Sequence, residues 1–251
     1  MSICVFLGPT LSHDAAAGQL DATYLPPIRQ GDIMRAIDRH EPHTLAIIDG
    51  FFEQTPAVWH KEILWALSHG LNVYGASSMG ALRAAELEPF GMVGVGRIFE
   101  AYRSGVFAPF EDEPFEDDDE VAVSHGPAEL GYPGSVAMVD IRATLDAACQ
   151  AEVIDPLVRD RLARVAKSIF YKDRSYEELF NRASEDLGSL SEFNHWLMDG
   201  GKIHQKSLDA ERLLAMISAI DPKPLIAEFN FEHTTVWDAA LADLANPDAG
   251  D

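Results

Sequence analysis

Short apolar runs alternate with segments of helical periodicity through the first 90 residues of the chain. The apolar runs predict buried strands and lie at Ser2–Leu7, Ala22–Leu25, Leu45–Ile48 and from Leu71 onward. Before the last of these, Thr55-Pro56 is typical of a helix N-cap and first turn, and Gly70 ends that helix. Strands that alternate with helices predict an α/β fold with a mostly parallel sheet of βαβ units.

Beyond Gly134 the apolar positions follow helical spacing almost throughout. We therefore predict an α/β core over residues 1–134, a helical region packed on it over 135–245, and a disordered tail over 246–251.

A parallel sheet places the carboxyl ends of its strands along one edge, and ligands bind outside that edge. The turns that follow the predicted strands should therefore lie together. They are Gly8-Pro9-Thr10, Pro26-Pro27, Asp49-Gly50-Phe51-Phe52 and Ser77-Ser78.

Ser78 lies between the end of a predicted strand and the start of a helix, within Gly75-Ala76-Ser77-Ser78-Met79-Gly80. This arrangement resembles a nucleophile elbow whose first glycine is replaced by Ala76, and Ser-Met-Gly-Ala resembles the nucleophile turn of Clp-type serine peptidases. Free N–H groups at the helix start are suited to hold an oxyanion. The alternative is a tight turn in which Ser78 is an ordinary helix cap.

Lys61 lies in the first turns of the helix predicted from Pro56, which starts at the same edge of the sheet. The positive end of that helix, and cover from Phe51, Phe52 and Trp59, would favour a neutral amine able to take a proton from serine. The alternative is a lysine that extends its amine into water.

An acidic run covers Glu111–Glu120, and we predict a solvated loop there, since its spacing matches no calcium-binding loop. Val121-Ala122-Val123 then predicts a short strand, which would bring His125 to the same edge as Ser78. Gly94-Val95-Gly96 is rejected as a dinucleotide fingerprint, because the segment before it is predicted to be helical.

The net charge of −22, from 19 basic and 41 acidic residues, argues against nucleic acid as a partner. No apolar run is long enough for a membrane span and no signal peptide is visible, so a cytoplasmic protein is expected. Cys4 and Cys149 fall in apolar patterns and are expected to be core residues. No metal or cofactor is predicted.

Several of these runs together resemble the TfuA-like proteins. They are Ile48–Phe52, Val58–Leu64, Gly75–Leu87, Gly94–Phe99 and the stretch from Asp118 to Pro127. In the helical region, Lys206-Ser207-Leu208-Asp209-Ala210 is similar to a K-x-x-D-A element of that family.

The resemblance implies a role beside a YcaO-type ATP-dependent enzyme that converts a peptide amide to a thioamide, as in trifolitoxin-type peptide biosynthesis. It implies release of sulfide from a thiocarboxylated ThiS-like carrier protein by a Ser–Lys pair, and help for the partner in binding its precursor peptide. Ser78 would be the nucleophile and Lys61 the base, with Ser77 and Lys206 as substitutes.

Around this pair the sequence predicts two supporting groups. Main-chain N–H groups in the turns would hold the oxyanion, at Met79, Gly80, Gly8 and Gly50. Side chains of a substrate channel would be Phe51, Phe52, Trp59, His60, Arg83 and His125. The competing hypothesis is a non-catalytic adaptor that stabilises the complex of the YcaO-type enzyme with its peptide.

Overall fold

The computed structural model describes residues 2–53, 55–126, 134–187, 190–220 and 226–245. The predicted tail 246–251, and Pro127 at the end of one family-like stretch, lie outside these residues.

A five-stranded parallel sheet forms the centre of the N-terminal part. Its strands are β1 (Ile3–Phe6), β2 (Thr23–Leu25), β3 (Thr44–Ile47), β4 (Asn72–Ala76) and β5 (Val93–Val95), in the spatial order β2-β1-β3-β4-β5. All four strand pairs are parallel, as the alternation of strands and helices predicted. The strand order reverses direction at β1 and β3, and such a reversal leaves a crevice beyond the carboxyl ends of these strands.

Helices follow each strand and continue through the C-terminal part. They are α1 (His13–Ala17), α2 (Asp32–His40), α3 (His60–Ser68), α4 (Met79–Leu87), α5 (Arg97–Ser104), α6 (Met138–Gln150), α7 (Pro156–Ser168), α8 (Tyr176–Leu187), α9 (Ser191–Trp196), α10 (Gln205–Ala219) and α11 (Thr235–Ala245). Within the described chain, no helix is both long and apolar enough to cross a lipid bilayer.

Side chains that alternate along the strands fill two separate cores, one on each face of the sheet. Phe6, Leu45 and Ile47 belong to the core that includes α2 to α6. Val5 and Ile48 point to the other face and pack with apolar residues of α1 and α10. Helix α10 comes from the C-terminal part, yet it covers the face of the sheet that α2 to α5 leave open.

Three local predictions are wrong. Helix α3 begins at His60 and not at Pro56, because the Glu62 carboxylate accepts the N–H of Trp59 and so caps the helix there. Val121–Val123 forms no strand and follows a 3₁₀ turn at Asp118–Glu120. Val93–Val95 is a strand where the sequence predicted none.

The acidic run also differs from the solvated loop that we predicted. Glu120 is fully buried, and its carboxylate accepts two hydrogen bonds from the Arg142 guanidinium, at 2.9 and 3.0 Å. Lys167 donates to the same carboxylate at 2.8 Å. The end of the run is therefore an internal anchor, while its earlier acidic residues are mostly exposed.

The segment before the rejected dinucleotide motif is helical, as predicted, but Gly94 itself lies in β5 and Gly96 in the turn that follows. A Cβ on Gly94 would overlap the Phe99 ring, and one on Gly96 would lie 2.3 Å from the Asp209 carboxyl carbon. Asp209 accepts the N–H groups of Arg97 and Ile98 at the start of α5. Side chains of this protein therefore occupy the space beside the turn, and the aspartate of the K-x-x-D-A element caps α5.

Candidate active site

A pocket of about 60 Å³ opens at the carboxyl edge of the sheet, beside the reversal between β1 and β3. Residues after three strands line it, together with residues brought from the C-terminal part. They are Pro9, Asp49, Gly50, Phe51, Phe52, Ser78, Val121, Val123, Ser124, His125, Tyr171, Lys172 and Lys206. The predicted meeting of strand-end turns at one edge is confirmed for the turns that follow β1, β3 and β4.

The turn between β4 and α4 holds Ser78 at the pocket. Ser77 adopts a left-handed conformation with φ of 67°, and Ser78 then occupies the N-cap position of α4. The Ser78 side chain makes no capping hydrogen bond, so the hydroxyl is not occupied as an ordinary helix cap would be.

Ser77 is fully buried, and its hydroxyl donates to the main-chain oxygen of Lys206 at 2.7 Å. This bond joins the turn to the first residues of α10. The structure therefore gives the two serines different surroundings, with Ser78 at the pocket and Ser77 bound to the backbone of α10.

Lys206 reaches the pocket from α10. Its side chain is almost fully buried, and Nζ donates to the main-chain oxygen of Val121 at 3.0 Å. Nζ also lies 4.0 Å from Oδ1 of Asp49. The N–H of Lys206 donates to the half-buried carboxylate of Asp140 at 3.0 Å, which fixes the start of α10. Burial raises the pKa of Asp140 above its ordinary value.

Asp49 connects the lysine to the first turn of the fold. Its carboxylate accepts the N–H groups of Gly8 and Thr10, at 2.9 and 3.1 Å, and the Thr10 hydroxyl at 2.6 Å. Asp49 was not among the predicted site residues, although its position directly after a buried strand was a usable signal.

Lys61 does not line this pocket. Its Nζ donates to the Thr234 hydroxyl at 3.0 Å and lies 5.3 Å from the centre of the Phe231 ring. Lys61 thus holds the segment before α11 against α3. The expectation that α3 would bring this amine toward Ser78 is not met, because the C-terminal segment engages it.

Of the four predicted oxyanion donors, two already donate hydrogen bonds within the protein. The N–H of Gly8 donates to Asp49, and that of Gly80 donates to the main-chain oxygen of Ile48 at 3.3 Å. In the described part of the chain, no hydrogen bond is found for the N–H groups of Met79 and Gly50. These two donors therefore remain available.

The predicted channel residues separate as well. Phe51, Phe52 and His125 line the pocket. Trp59 instead lines a groove beside α2 and α11. His60 and Arg83 both contact the Glu86 carboxylate at the surface, and their hydrogen bonds lower the pKa of Glu86, against the opposing effect of burial.

A contact across the pocket mouth was not foreseen. The Tyr171 hydroxyl and the Lys172 ammonium both donate to Glu53, at 2.8 and 2.9 Å. These two hydrogen bonds lower the pKa of Glu53, and the bond from Lys172 has the larger effect. The contact joins the loop after β3 to the loop after α7, and no sequence pattern connected residues so far apart.

Both cysteines are free thiols. Cys4 is a core residue, as its apolar pattern predicted, whereas Cys149 is half-buried and packs against the core. Among the described residues, no group of three or more His, Cys, Asp or Glu side chains is placed to hold a metal ion.

A family model described as TfuA-like protein matches residues 49–175, from Asp49 to the residue before α8. No curated protein matches the chain. The matched region contains Ser78 and most of the pocket lining, whereas Lys206 lies outside it.

Proposed function

Because the chain belongs to the TfuA-like family, we propose that it hydrolyses the thiocarboxylate of a carrier protein. This family is associated with thioamidation by YcaO-type enzymes and has a general accessory role in it. The carrier is ThiS-like, and the released hydrosulfide serves a YcaO-type partner acting on a precursor peptide. The observation that supports this proposal is the presence of Ser78 and Lys206 in one pocket at the carboxyl edge of the sheet.

In the first step, Oγ of Ser78 attacks the acyl carbon of the thiocarboxylate. Lys206, as the neutral amine, takes the hydroxyl proton and passes it to the departing sulfur. The C–S bond breaks, hydrosulfide leaves, and the acyl group remains as an ester on Ser78. A neutral amine keeps two N–H donors, so it retains the bond to Val121 while its lone pair accepts the proton.

Charge develops at two places during this step. The N–H groups of Met79 and Gly50 are the donors for the acyl oxygen, and the start of α4 favours negative charge there. The Lys206 cation formed by proton transfer faces the Asp49 carboxylate, 4.0 Å away. In the second step Lys206 takes a proton from the water that attacks the ester. It returns this proton to Oγ of Ser78 as the ester C–O bond breaks, and the carrier leaves as its carboxylate with release of one proton.

A mass measurement tests the proposal. The protein is incubated with a thiocarboxylated ThiS-like carrier, and replacement of sulfur by oxygen in the carrier is followed over time. We expect Ser78→Ala to lower the rate by about 10³-fold or more, and Lys206→Met by about 10²- to 10⁴-fold.

Lys61→Met is the matched variant, because it removes a lysine that contacts Thr234 and not the pocket. It should keep the rate within about threefold, since the amine it removes takes part in no proposed proton transfer. Two results together would contradict the hydrolase and support the non-catalytic adaptor. They are a carrier whose mass does not change, and a Ser78→Ala variant that still fully stimulates thioamidation by the YcaO-type partner.

A further inference from the structure

A second and larger pocket, of about 250 Å³, adjoins the Ser78 pocket. The two share the segment Val123–His125 and the side chain of Lys206 as walls. Lys206 therefore lies between the two pockets. Beyond it, the second pocket continues toward Tyr176, Lys202 and His204.

The size of the first pocket decides what it can take. Sites that enclose a drug-sized ligand measure roughly 300–1,000 Å³, and the Ser78 pocket has only about 60 Å³. It can hold the reacting end of a substrate but not the residues that precede it. Those residues need an adjoining space, and the second pocket provides it.

The wall shared by the two pockets includes the main chain of Val123, which precedes a hydrogen-bonded pair of residues. The N–H of Ser124 donates to the Ser135 hydroxyl at 2.8 Å, and the N–H of Ser135 donates to the Ser124 oxygen at 2.9 Å. Both of these bonds use the main chain of Ser124 and leave that of Val123 unengaged by Ser135. Within the described residues, no hydrogen bond is found for the Val123 main chain. An extended peptide can pair with such main-chain groups.

The far end of the second pocket carries positive charge. Lys202 is exposed, its Nζ lies 5.4 Å from the centre of the Tyr176 ring, and no acidic partner for it is found in the described chain. Asp140, the carboxylate in this wall, is engaged by the N–H of Lys206. On a chain with a net charge of −22, this local cation favours an acidic side chain on the ligand.

We propose that the second pocket binds the extended C-terminal tail of the carrier. The tail pairs with Val123, places an acidic side chain near Lys202, and delivers its thiocarboxylate past Lys206 to Ser78. This inference rests on the proposed function, because it assigns the tail of the same substrate.

Peptide thioacids of two lengths test the assignment. A dipeptide thioacid fills only the first pocket, and a hexapeptide with the same last two residues and an upstream glutamate spans both. For the wild-type protein, we expect kcat/KM of hydrosulfide release to be at least about tenfold higher for the hexapeptide. Lys202→Glu should remove most of this gain through KM and leave the dipeptide unchanged. Arg39→Glu, which reverses an exposed cation on α2, is the matched control and should preserve the gain.

Binding of the corresponding hexapeptide carboxylate, measured by calorimetry, separates the two proposals. Suppose that hexapeptide binding weakens about tenfold in Lys202→Glu but not in Arg39→Glu, and that no thioacid is hydrolysed. This result would support the tail site and contradict the hydrolase. Hydrolysis with equal kcat/KM for both lengths, or a gain unaffected by Lys202→Glu, would overturn the tail site and leave the hydrolase standing.

Discussion

The Ser77 hydroxyl donates to the main-chain oxygen of Lys206 at 2.7 Å, across 129 positions of sequence. Ser77 precedes the proposed nucleophile and Lys206 carries the proposed base, so this bond sets the separation of the two groups. Because Ser77 itself is held in a left-handed conformation, the turn and the helix constrain each other.

We expect Ser77→Ala and Ser77→Gly to lower kcat for carrier hydrolysis by about tenfold with little change in KM, because both lose the bond to Lys206. Their stabilities should differ. Glycine tolerates a φ of 67° and alanine does not, so Ser77→Gly should be more stable than Ser77→Ala by about 1 kcal/mol. Steady-state kinetics and urea unfolding check the two statements.

Ser104→Ala is the control, since this surface serine also donates to main-chain oxygens but lies far along α5. Its kinetics should match those of the wild type. Wild-type kcat in both Ser77 variants would show that the turn needs no tie to α10.

The sequence predicted that Ser78 lies at the carboxyl edge of the sheet, but not which lysine lies in the same pocket. Ser78 follows a strand end, and a strand end in a parallel sheet has a known location. Lys206 lies on a helix near the other end of the chain, and the amphipathic pattern of α10 does not say which face of the sheet that helix covers. Lys61 was selected because α3 starts at the right edge, and the segment around Thr234 that engages it is remote in sequence.

The four short apolar runs were sufficient to find β1 to β4, because the central parallel strands β1, β3 and β4 are buried and apolar on both faces and the edge strand β2 is half-buried. The strand β5 has only three residues, and glycine at its centre weakens any pattern of strand formers. Val121–Val123 showed such a pattern and is not a strand, since buried ion pairs from Glu120 to Arg142 fix the chain there instead. Pairing between distant charges leaves no local signal.

Gly80 allows α4 to lie directly against the sheet. A Cβ on this residue would stand 1.7 Å from the main-chain oxygen of Ile47, and one on Gly75 would stand 2.1 Å from that of Gly80. Neither neighbour can move, because both are backbone atoms of the central strands or of α4. We expect Gly80→Ala to destabilise the protein by about 3 kcal/mol or more, as overpacking of the core does.

Thermal unfolding measures this effect. Gly105→Ala is the matched control, because a Cβ there meets no atom and only the positive φ of 74° is strained. Its cost should stay near 1 kcal/mol. A similar loss of stability in both variants would mean that the close contact between Gly80 and the sheet adds no cost of its own.

Arg142 and Glu120 form a fully buried ion pair beneath the pocket. We expect Arg142→Met to cost about 3–5 kcal/mol, because it leaves the Glu120 carboxylate buried with one fewer partner. Glu120 precedes Val121, whose main-chain oxygen accepts the hydrogen bond from Nζ of Lys206. Loss of the ion pair should therefore also lower the rate of carrier hydrolysis. Urea unfolding and the carrier assay measure the two effects.

Arg182→Met breaks a comparable pair with Glu178, but on the surface of α8. It should cost less than about 1 kcal/mol. Equal losses in the two variants would contradict the role assigned to burial.

Glu62 links the starts of two helices. Its carboxylate accepts the N–H of Gly31, next to α2, at 2.8 Å and that of Trp59, before α3, at 3.3 Å. Burial raises the pKa of Glu62 to about 7, although both backbone bonds act in the opposite direction. The unfolded chain has the ordinary value near 4.5.

Between pH 4.5 and 7 the folded protein therefore binds the Glu62 proton more tightly than the unfolded chain does. Stability must fall as the pH rises through this window and become level above it, by up to about 3 kcal/mol from this residue. Glu62→Gln cannot ionise, so its stability relative to the wild type should increase from pH 5 to pH 7.5. Urea unfolding across this range measures the difference. A constant difference between the two proteins would show that Glu62 is already ionised at pH 5 in the folded state.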